Sequence, residues 1–461
     1  MAVILDGISN EDKIALEKLV KKQSKPGMVV IELGSYTGKS SISMLPVIAQ
    51  NNGRLYCVDW FKGMPCSTED IQWSYKEHNI LDIFLNRIKD EGYEKNTITL
   101  IGRTDEVCDV IGDNVADLIF IDADHRYENV RKDILKWYPK LKNNGVLCGH
   151  DYLKHLKDCN YLRALELCEE NVDMMFGEPH HYGVIRSISE FFPDVKFESS
   201  IWHIEKTDSH PLLELSLKLA STAAEHNKTF SQSRGVSIVN QSSDPLQQKR
   251  HEELNEHIHQ LLENEKYSEM VVTSIGSILW NVQLTTMALE LLQTALSKTN
   301  GSDNSMTLTL YAVLLFKAGN VSLSIECFEK LNRLRPDDPV ILNKLGELYY
   351  SIGKKEQAEI IFKKTFSLAL NYYFPELLNN LGVLYWEAGK KELALKAIID
   401  GMNMTKGTHV NIVLNYSDML QSQKKADIAL SLLERHYALS KDSRIMAGIK
   451  QLKDKGHGMV K

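Results

Sequence analysis

Up to about residue 206, short apolar runs rich in β-branched residues alternate with amphipathic stretches, and this alternation constrains the fold more than any other feature of the chain. The runs are MVVIEL (28 to 33), RLYCVD (54 to 59), TITLIG (97 to 102), DLIFID (117 to 122) and GVLCGHD (145 to 151). Between them, stretches such as Lys39 to Ala49 and Tyr127 to Leu141 read as helices. Strand and helix in alternation predict an α/β doubly wound, mostly parallel sheet, whose right-handed crossovers bring all strand ends to one lip. VKFES and SIWHIEK lie too close together for a helical crossover, so an antiparallel hairpin is expected to close this part.

Composition narrows the function. Charged residues at 25% and hydrophobic residues at 43% are ordinary globular usage, and 461 residues suffice for two or three domains. A net charge of −7 argues against a general nucleic-acid or anionic-membrane binder. No apolar run reaches the roughly 18 residues that cross a bilayer, and MAVILDGISNEDK has no basic segment ahead of its apolar stretch, so no membrane partner is expected. The seven cysteines (57, 66, 108, 148, 159, 168 and 327) include no C-x-x-C pair, which points to a reducing, cytoplasmic setting without structural zinc.

Residues 207 to 266 turn polar, with few aromatics, and read as a linker that becomes helical near its end. Beyond it the sequence repeats. Ala312, Gly346, Gly382 and Tyr416 follow at spacings of 34, 36 and 34, Phe328 and Phe362 are 34 apart, as are Ser324 and Ala358, and KLGELYYSIGKKEQAEIIF is echoed by NLGVLYWEAGKKELALKAI. The period and these positions resemble the tetratricopeptide repeat, which implies an all-α solenoid over 267 to 461 that binds a protein partner or a second copy. Four repeats are expected, at 305 to 338, 339 to 374, 375 to 408 and 409 to 442, with a weaker one over 269 to 304. Asn343, Asn379, Asn380 and Asn415 fall on first helices, either lining a peptide-binding concave face or simply solvated. No basic stripe interleaved with aromatics appears, so nucleic acid is not an expected ligand.

The first strand runs into ELGSYTGKS (32 to 40). A phosphate-binding P-loop needs four residues between its first glycine and the Gly-Lys-Ser, whereas Gly34 and Gly38 enclose three, so Lys39 and Ser40 are decoys. The G-x-G-x-x-G dinucleotide fingerprint is absent too. The segment resembles the E/D-x-G-x-x-x-G-x-S loop of S-adenosylmethionine enzymes. That resemblance implies Gly34 and Gly38 beside the cofactor, with Ser35 and Ser40, and Glu32 facing its amino group. Asp59 ends the second strand, where an acid can accept both ribose hydroxyls, and Trp60 packs either on the adenine or on the core. Thr104 and Asp105 follow the third strand, as adenine contacts or as a helix start.

LIFIDADHRYENV (118 to 130) and NNGVLCGHDY (144 to 152) end neighbouring strands of a 3-2-1-4-5 sheet, which brings Asp122, Asp124, His125, His150 and Asp151 to one lip. So many acids need a divalent cation or a proton-handling role. The motifs I-D-A-D-H-x-Y-E and G-H-D-Y resemble those of a group of small O-methyltransferases that includes sugar methyltransferases; the likeness covers about residues 20 to 206, within a domain expected over 1 to 206. It implies methyl transfer to a hydroxylated small molecule or glycan, with His125, His150 and Asp151 as catalytic candidates. In metal-dependent members Mg²⁺ sits where this chain has Asp122, His150 and Asp151; the departure at His150, since imidazole suits Mn, Fe or Zn, means either a different metal or that His150 is not a ligand, and the cation expected beside S-adenosylmethionine, if one is used, is Mg²⁺ or Mn²⁺. His180, His181 and Tyr182 occupy an acceptor-binding position, and the aromatic stretch after Asp59 reads as a lid or as core. A scaffold with a weak or inactive cofactor site, and a protein methyltransferase whose substrate is held by the repeats, stay open beside the small-molecule reading.

Overall fold

The computed structural model describes residues 8–63, 78–169, 180–207, 210–219, 254, 256–263, 268–298, 304–368, 374–405, 407, 409–440 and 442–457. The lid expected after Asp59 lies, for residues 64–77, outside the described residues. Those before Gly319, Gly63 apart, form one compact unit and those from Gly319 a second.

In the first unit the elements run α1 (Asn10–Lys22), β1 (Val29–Leu33), α2 (Lys39–Gln50), β2 (Arg54–Asp59), α3 (Ile80–Asp90), β3 (Thr97–Ile101), α4 (Thr104–Val107), β4 (Ala116–Ile121), α5 (Tyr127–Trp137) and β5 (Leu141–Gly149). Next come α6 (Tyr161–Glu169), α7 (Tyr182–Phe191), β6 (Lys196–Glu198) and β7 (Ile201–Glu205), then α8 (Glu269–Asn281), α9 (Thr285–Lys298) and α10 (Ser305–Lys317). The seven strands order β3-β2-β1-β4-β5-β7-β6, with β1 to β5 parallel and β7 antiparallel to both neighbours. The doubly wound sheet and its closing hairpin are therefore as the sequence predicts.

Both faces of the central strands are covered, which is why they read as continuous apolar runs rather than alternating ones. Val30, Leu55, Cys57, Leu118 and Phe120 pack under Leu16, Val20, Met44, Ile48 and Phe84 from α1 to α3. Parallel register puts Leu33 beside Val58 and Ile121, so the loops after β1, β2 and β4 share one lip.

Two observations bear on the expected domain limits. Within the stretch read as polar linker, 211–219 is helical and buries Leu212, Leu213 and Leu215. Residues 268–298 and 304–318 belong to the first compact unit and not to a separate repeat domain from 267. Overall polarity hid the first, and buried polar side chains on α8 explain the second.

The second unit is a helical-repeat solenoid: α11 (Val321–Leu334), α12 (Pro339–Ser351), α13 (Lys355–Leu368), α14 (Pro375–Glu387), α15 (Lys391–Met404), α16 (Val410–Ser422), α17 (Ala426–Ser440) and α18 (Ser443–His457). A β-carbon at Gly346 would lie 2.3 Å from the ring of Phe362, and one at Gly382 2.6 Å from Ile398, so the repeated small residue is where paired helices touch. The four asparagines stitch first helices together. Asn380 donates to Asn343 Oδ1 (3.1 Å) and Glu347, and Asn415 donates to Asn379 Oδ1 (2.8 Å).

The second residue beyond α8, α10, α12, α14 and α16 is left-handed every time: Gln283, Gly319, Gly353, Gly389 and Lys424. A helix closed this way favours glycine. Replacing Lys424 by Gly should stabilise the chain by about 0.5–1 kcal/mol, and Gly389→Ala should cost at least as much. Chemical denaturation checks this; unchanged stability at both positions would refute the turn geometry.

Candidate active site at the lip of the sheet

The loop between β1 and α2 is shaped from behind. Gly34 is left-handed (φ 87°), and a β-carbon there would stand 2.0 Å from the Asp122 carbonyl oxygen, while one on Gly38 would meet the Phe84 ring at 2.9 Å. Glycine is thus demanded by neighbouring protein atoms, which bring the loop against the exit of β4. Glu32 is fully buried beneath and accepts from the hydroxyls of Ser35 (2.7 Å), Ser40 (2.5 Å) and Ser41. Burial pushes its carboxyl up, and the three hydroxyls offset part of that. Glu32, Ser35 and Ser40 therefore form a knot behind the loop instead of presenting themselves to a ligand. Ser40, already engaged, is in no position to act as a P-loop serine.

Asp59, at the tip of β2, accepts from the backbone N–H of Phe61 on one oxygen (2.7 Å) and of Tyr36 on the other (2.8 Å). Its burial raises the carboxyl, and the backbone donors oppose that. The backbone N–H groups of Ser35 and Trp60 bear on it as well, so main-chain donors fix the carboxylate at the tip of β2. Half-buried Trp60 has the Arg103 guanidinium 5.8 Å from its ring centre. Thr104 and Asp105 are partly turned from the ligand-binding role: the Thr104 hydroxyl donates to Asp133 Oδ1 (2.6 Å), and Asp105 pairs with Arg103 (3.1 Å) and Lys132 (3.4 Å). Neither caps the helix, whose N-cap is Arg103 without a side-chain bond.

Across the lip, β4 and β5 deliver the second cluster. Asp122 and Asp151 flank His125, whose Nε2 lies 3.5 Å from the former and 3.2 Å from the latter. His181, the N-cap of α7, reaches Asp151 (3.7 Å) and stacks edge-on against His125 with ring centres 4.4 Å apart. Asp124, expected at the same lip, is a correction. It accepts from the backbone N–H (2.9 Å) and guanidinium of Arg126 and from Asn129 (2.6 Å), forming a turn into α5. His180 and Tyr182 stack with ring centres 5.9 Å apart.

Asp12, which sequence reading missed, replaces it. As the third helical residue of α1 it completes a capping box with Ser9, and it also accepts from Ser200 N (2.9 Å) and Oγ (2.7 Å). Its Oδ2 lies 3.3 Å from His150 Nε2, while His150 Nδ1 faces Asp151 (3.2 Å) and Asp122 (3.6 Å). Burial alone would lower that imidazole, but the three carboxylates outweigh it and hold it well above the usual histidine range. A histidine kept charged has no lone pair for a proton, so His125 is the better-placed base of the two.

Two sets of three donor atoms, Asp122 with His150 and Asp151, and His125 with Asp151 and His181, each lie within 4.8 Å of one another. Both mix nitrogen with oxygen, a composition that fits Mn²⁺ or Zn²⁺ better than Mg²⁺. The Asp12 contact is the kind of outer bond that fixes the ring of a ligating histidine.

Comparison with known proteins bears on the two parts separately. Residues 31–152 match a family described as a methyltransferase domain, and residues 340–372 match the tetratricopeptide repeat. A thermophilic tetratricopeptide-repeat protein of Thermus thermophilus is 18% identical, covering 40% of this chain and 98% of its own, at a TM-score of 0.35. PilF of Pseudomonas aeruginosa is 16% identical, covering 52% and 98%, also at 0.35. Among the described residues no helix is long and apolar enough to cross a membrane.

Asp133 gives the site region a pH signature. Burial raises its carboxyl from 3.8 to about 7, which the Thr104 hydroxyl only partly opposes. An acid raised on folding favours the fold when protonated, so its contribution declines as pH climbs from the lower value to the upper. Asp133→Asn should therefore gain in melting temperature on the wild type as pH rises from about 5 to about 8; the same shift at both would contradict the assignment.

Proposed function

Given that the chain carries a methyltransferase domain followed by tetratricopeptide repeats, we propose that it moves a methyl group from S-adenosylmethionine to a hydroxyl of a sugar or another small acceptor. The repeats recruit a protein partner, a carrier or a second copy. The observation that carries the reading is the abutment of the two clusters: Gly34 lies against the Asp122 carbonyl, so the loop and the His125, Asp122 and Asp151 group adjoin at one lip.

The residues fit the methyl donor. Asp59 ends β2 where a carboxylate can meet the ribose, and half-buried Trp60 follows it for the adenine. When bound, S-adenosylmethionine supplies an electrophilic methyl group on a positively charged sulfur. With its Nε2–H turned to Asp122 and Asp151, His125 takes the proton of the acceptor hydroxyl on Nδ1, and the two carboxylates stabilise the imidazolium that results. His181, edge-on to His125, limits its rotation and lines the acceptor side. Much of the rate is then positional, since the acceptor oxygen needs only to be held in line with the methyl group.

A divalent cation at Asp122, His150 and Asp151, which would take the place of the proton on His150 Nδ1, is a second element of the proposal. It is supported by the donor set and by Asp12 on the far nitrogen of His150. Bound there, it would lower the acceptor hydroxyl's pKa, with Asp12 orienting the ring.

Calorimetry with S-adenosylmethionine should give micromolar binding that weakens about 10- to 100-fold in Asp59→Ala, the loss of charge-assisted bonds. Equal affinity in the two proteins would refute the cradle. With a panel of monosaccharide acceptors, His125→Ala should slow transfer by about 10²- to 10⁴-fold while leaving donor affinity alone. Chelation should abolish transfer and Mn²⁺ should restore it; indifference to chelator would remove the cation and leave His125 in place.

A further inference from the structure

Behind the lip, α5 and α7 are joined by a buried polar network. Glu190 accepts from Arg131 (2.8 Å) and from Arg186 (2.9 Å), and from the Tyr127 hydroxyl. The Arg186 guanidinium sits 4.0 Å over the Tyr127 ring and that of Arg131 4.4 Å over Phe191. Burial would raise Glu190, and the two arginines outweigh that and hold it low. Such a network is stabilising only when every member is satisfied.

The bonds that complete it come from far along the chain. Ser277 on α8 donates to Glu190 (2.6 Å) and accepts from Arg186 (2.9 Å), and Asn281 donates to the Tyr127 hydroxyl (2.8 Å). Helix α8 is itself anchored, because Glu269 accepts from Met306 N (2.7 Å) and Thr307 N (3.1 Å) at the start of α10.

The same two helices hold the candidate chemistry at their N-termini. His125 stands two residues before α5, and His181 caps α7. The helices touch through backbone at that end: a β-carbon on Gly183 would fall 2.1 Å from the His125 carbonyl oxygen, and Ser187 donates to Tyr127 O (3.1 Å).

We propose that helix Glu269–Asn281, the first of the helical repeats, is a working part of the catalytic unit, with Ser277 and Asn281 as positioning residues that fix the His125 and His181 pair through Glu190 and Tyr127. This first helical pair is then a wall of the enzyme, and recruitment falls to the later repeats. The inference rests on reading that histidine pair as the acceptor-side chemistry.

The test uses the full chain with ¹³C-labelled histidine, the ring signals of His125 and His181 being assigned through His125→Gln and His181→Gln. In Asn281→Leu both signals should move, that of His436 should stay, and S-adenosylmethionine affinity should hold within about twofold. Asn281→Leu/Tyr127→Phe should differ little from Tyr127→Phe, because the shared bond is already gone. A fall in melting temperature with the two signals unmoved would overturn the proposal. Should the wild type fail to bind S-adenosylmethionine, the functional reading falls while the histidine signals still report on the clamp. Hydrogen exchange on the wild type covers the case of a variant that does not fold: amides of 182–191 and 269–281 should open together, and early exchange confined to 269–281 would make the helix a detachable appendage.

Discussion

A carbonyl oxygen of residue 122 occupies the space that a side chain on residue 34 would need, 2.0 Å from where its β-carbon would stand. Everything at the lip follows from that approach. It requires glycine in the left-handed region after β1, and it brings the end of β4, with Asp122 and His125 behind it, beside the loop that opens α2. The loop is then braced by a carboxylate that never meets solvent, since Glu32 gathers three serine hydroxyls from the turn and the first turn of the helix. A buried carboxylate is tolerable only with such partners, so the knot and the glycine are two halves of one local solution.

Much of this was legible in the sequence for a plain reason. Strands covered on both faces read as unbroken apolar runs, and their order follows from crossover handedness, so Asp59, Asp122 and Asp151 could be assigned to strand ends. The paired motifs after β4 and β5 were likewise visible. Asp12 was not, because nothing near it in sequence distinguishes a capping carboxylate from one that also holds His150; only the docking of α1 beside the β6–β7 turn makes the difference. Asp124 did carry a readable signal, its spacing to Arg126 and Asn129, which marks a turn. Ser35, Ser40 and Ser41 likewise lie at positions from which a single acid can collect them.

The repeats illustrate the opposite limit. Their period was plain from Gly346 and Gly382, where helix pairs touch. The weak first repeat was harder because its left-handed turn uses Gln283, and its polar residues Ser277 and Asn281 look like ordinary surface choices until α7 is set against them. Where those helices belong is decided by burial of charge, which periodicity does not encode. The amides of Asn343, Asn380 and Asn415 are a similar case: hydrogen-bonding to neighbouring helices, and not exposure, explains their recurrence.

Competition between ligands, followed by saturation-transfer NMR on the full chain, addresses the central claim most directly. Adenine and ribose protons of S-adenosylmethionine should receive saturation, S-adenosylhomocysteine should displace it, and ATP with Mg²⁺ should not. Displacement by the nucleotide, or no transfer to the adenosyl protons at all, would contradict a crevice built by the tips of β1, β2 and β4 for a sulfonium nucleoside.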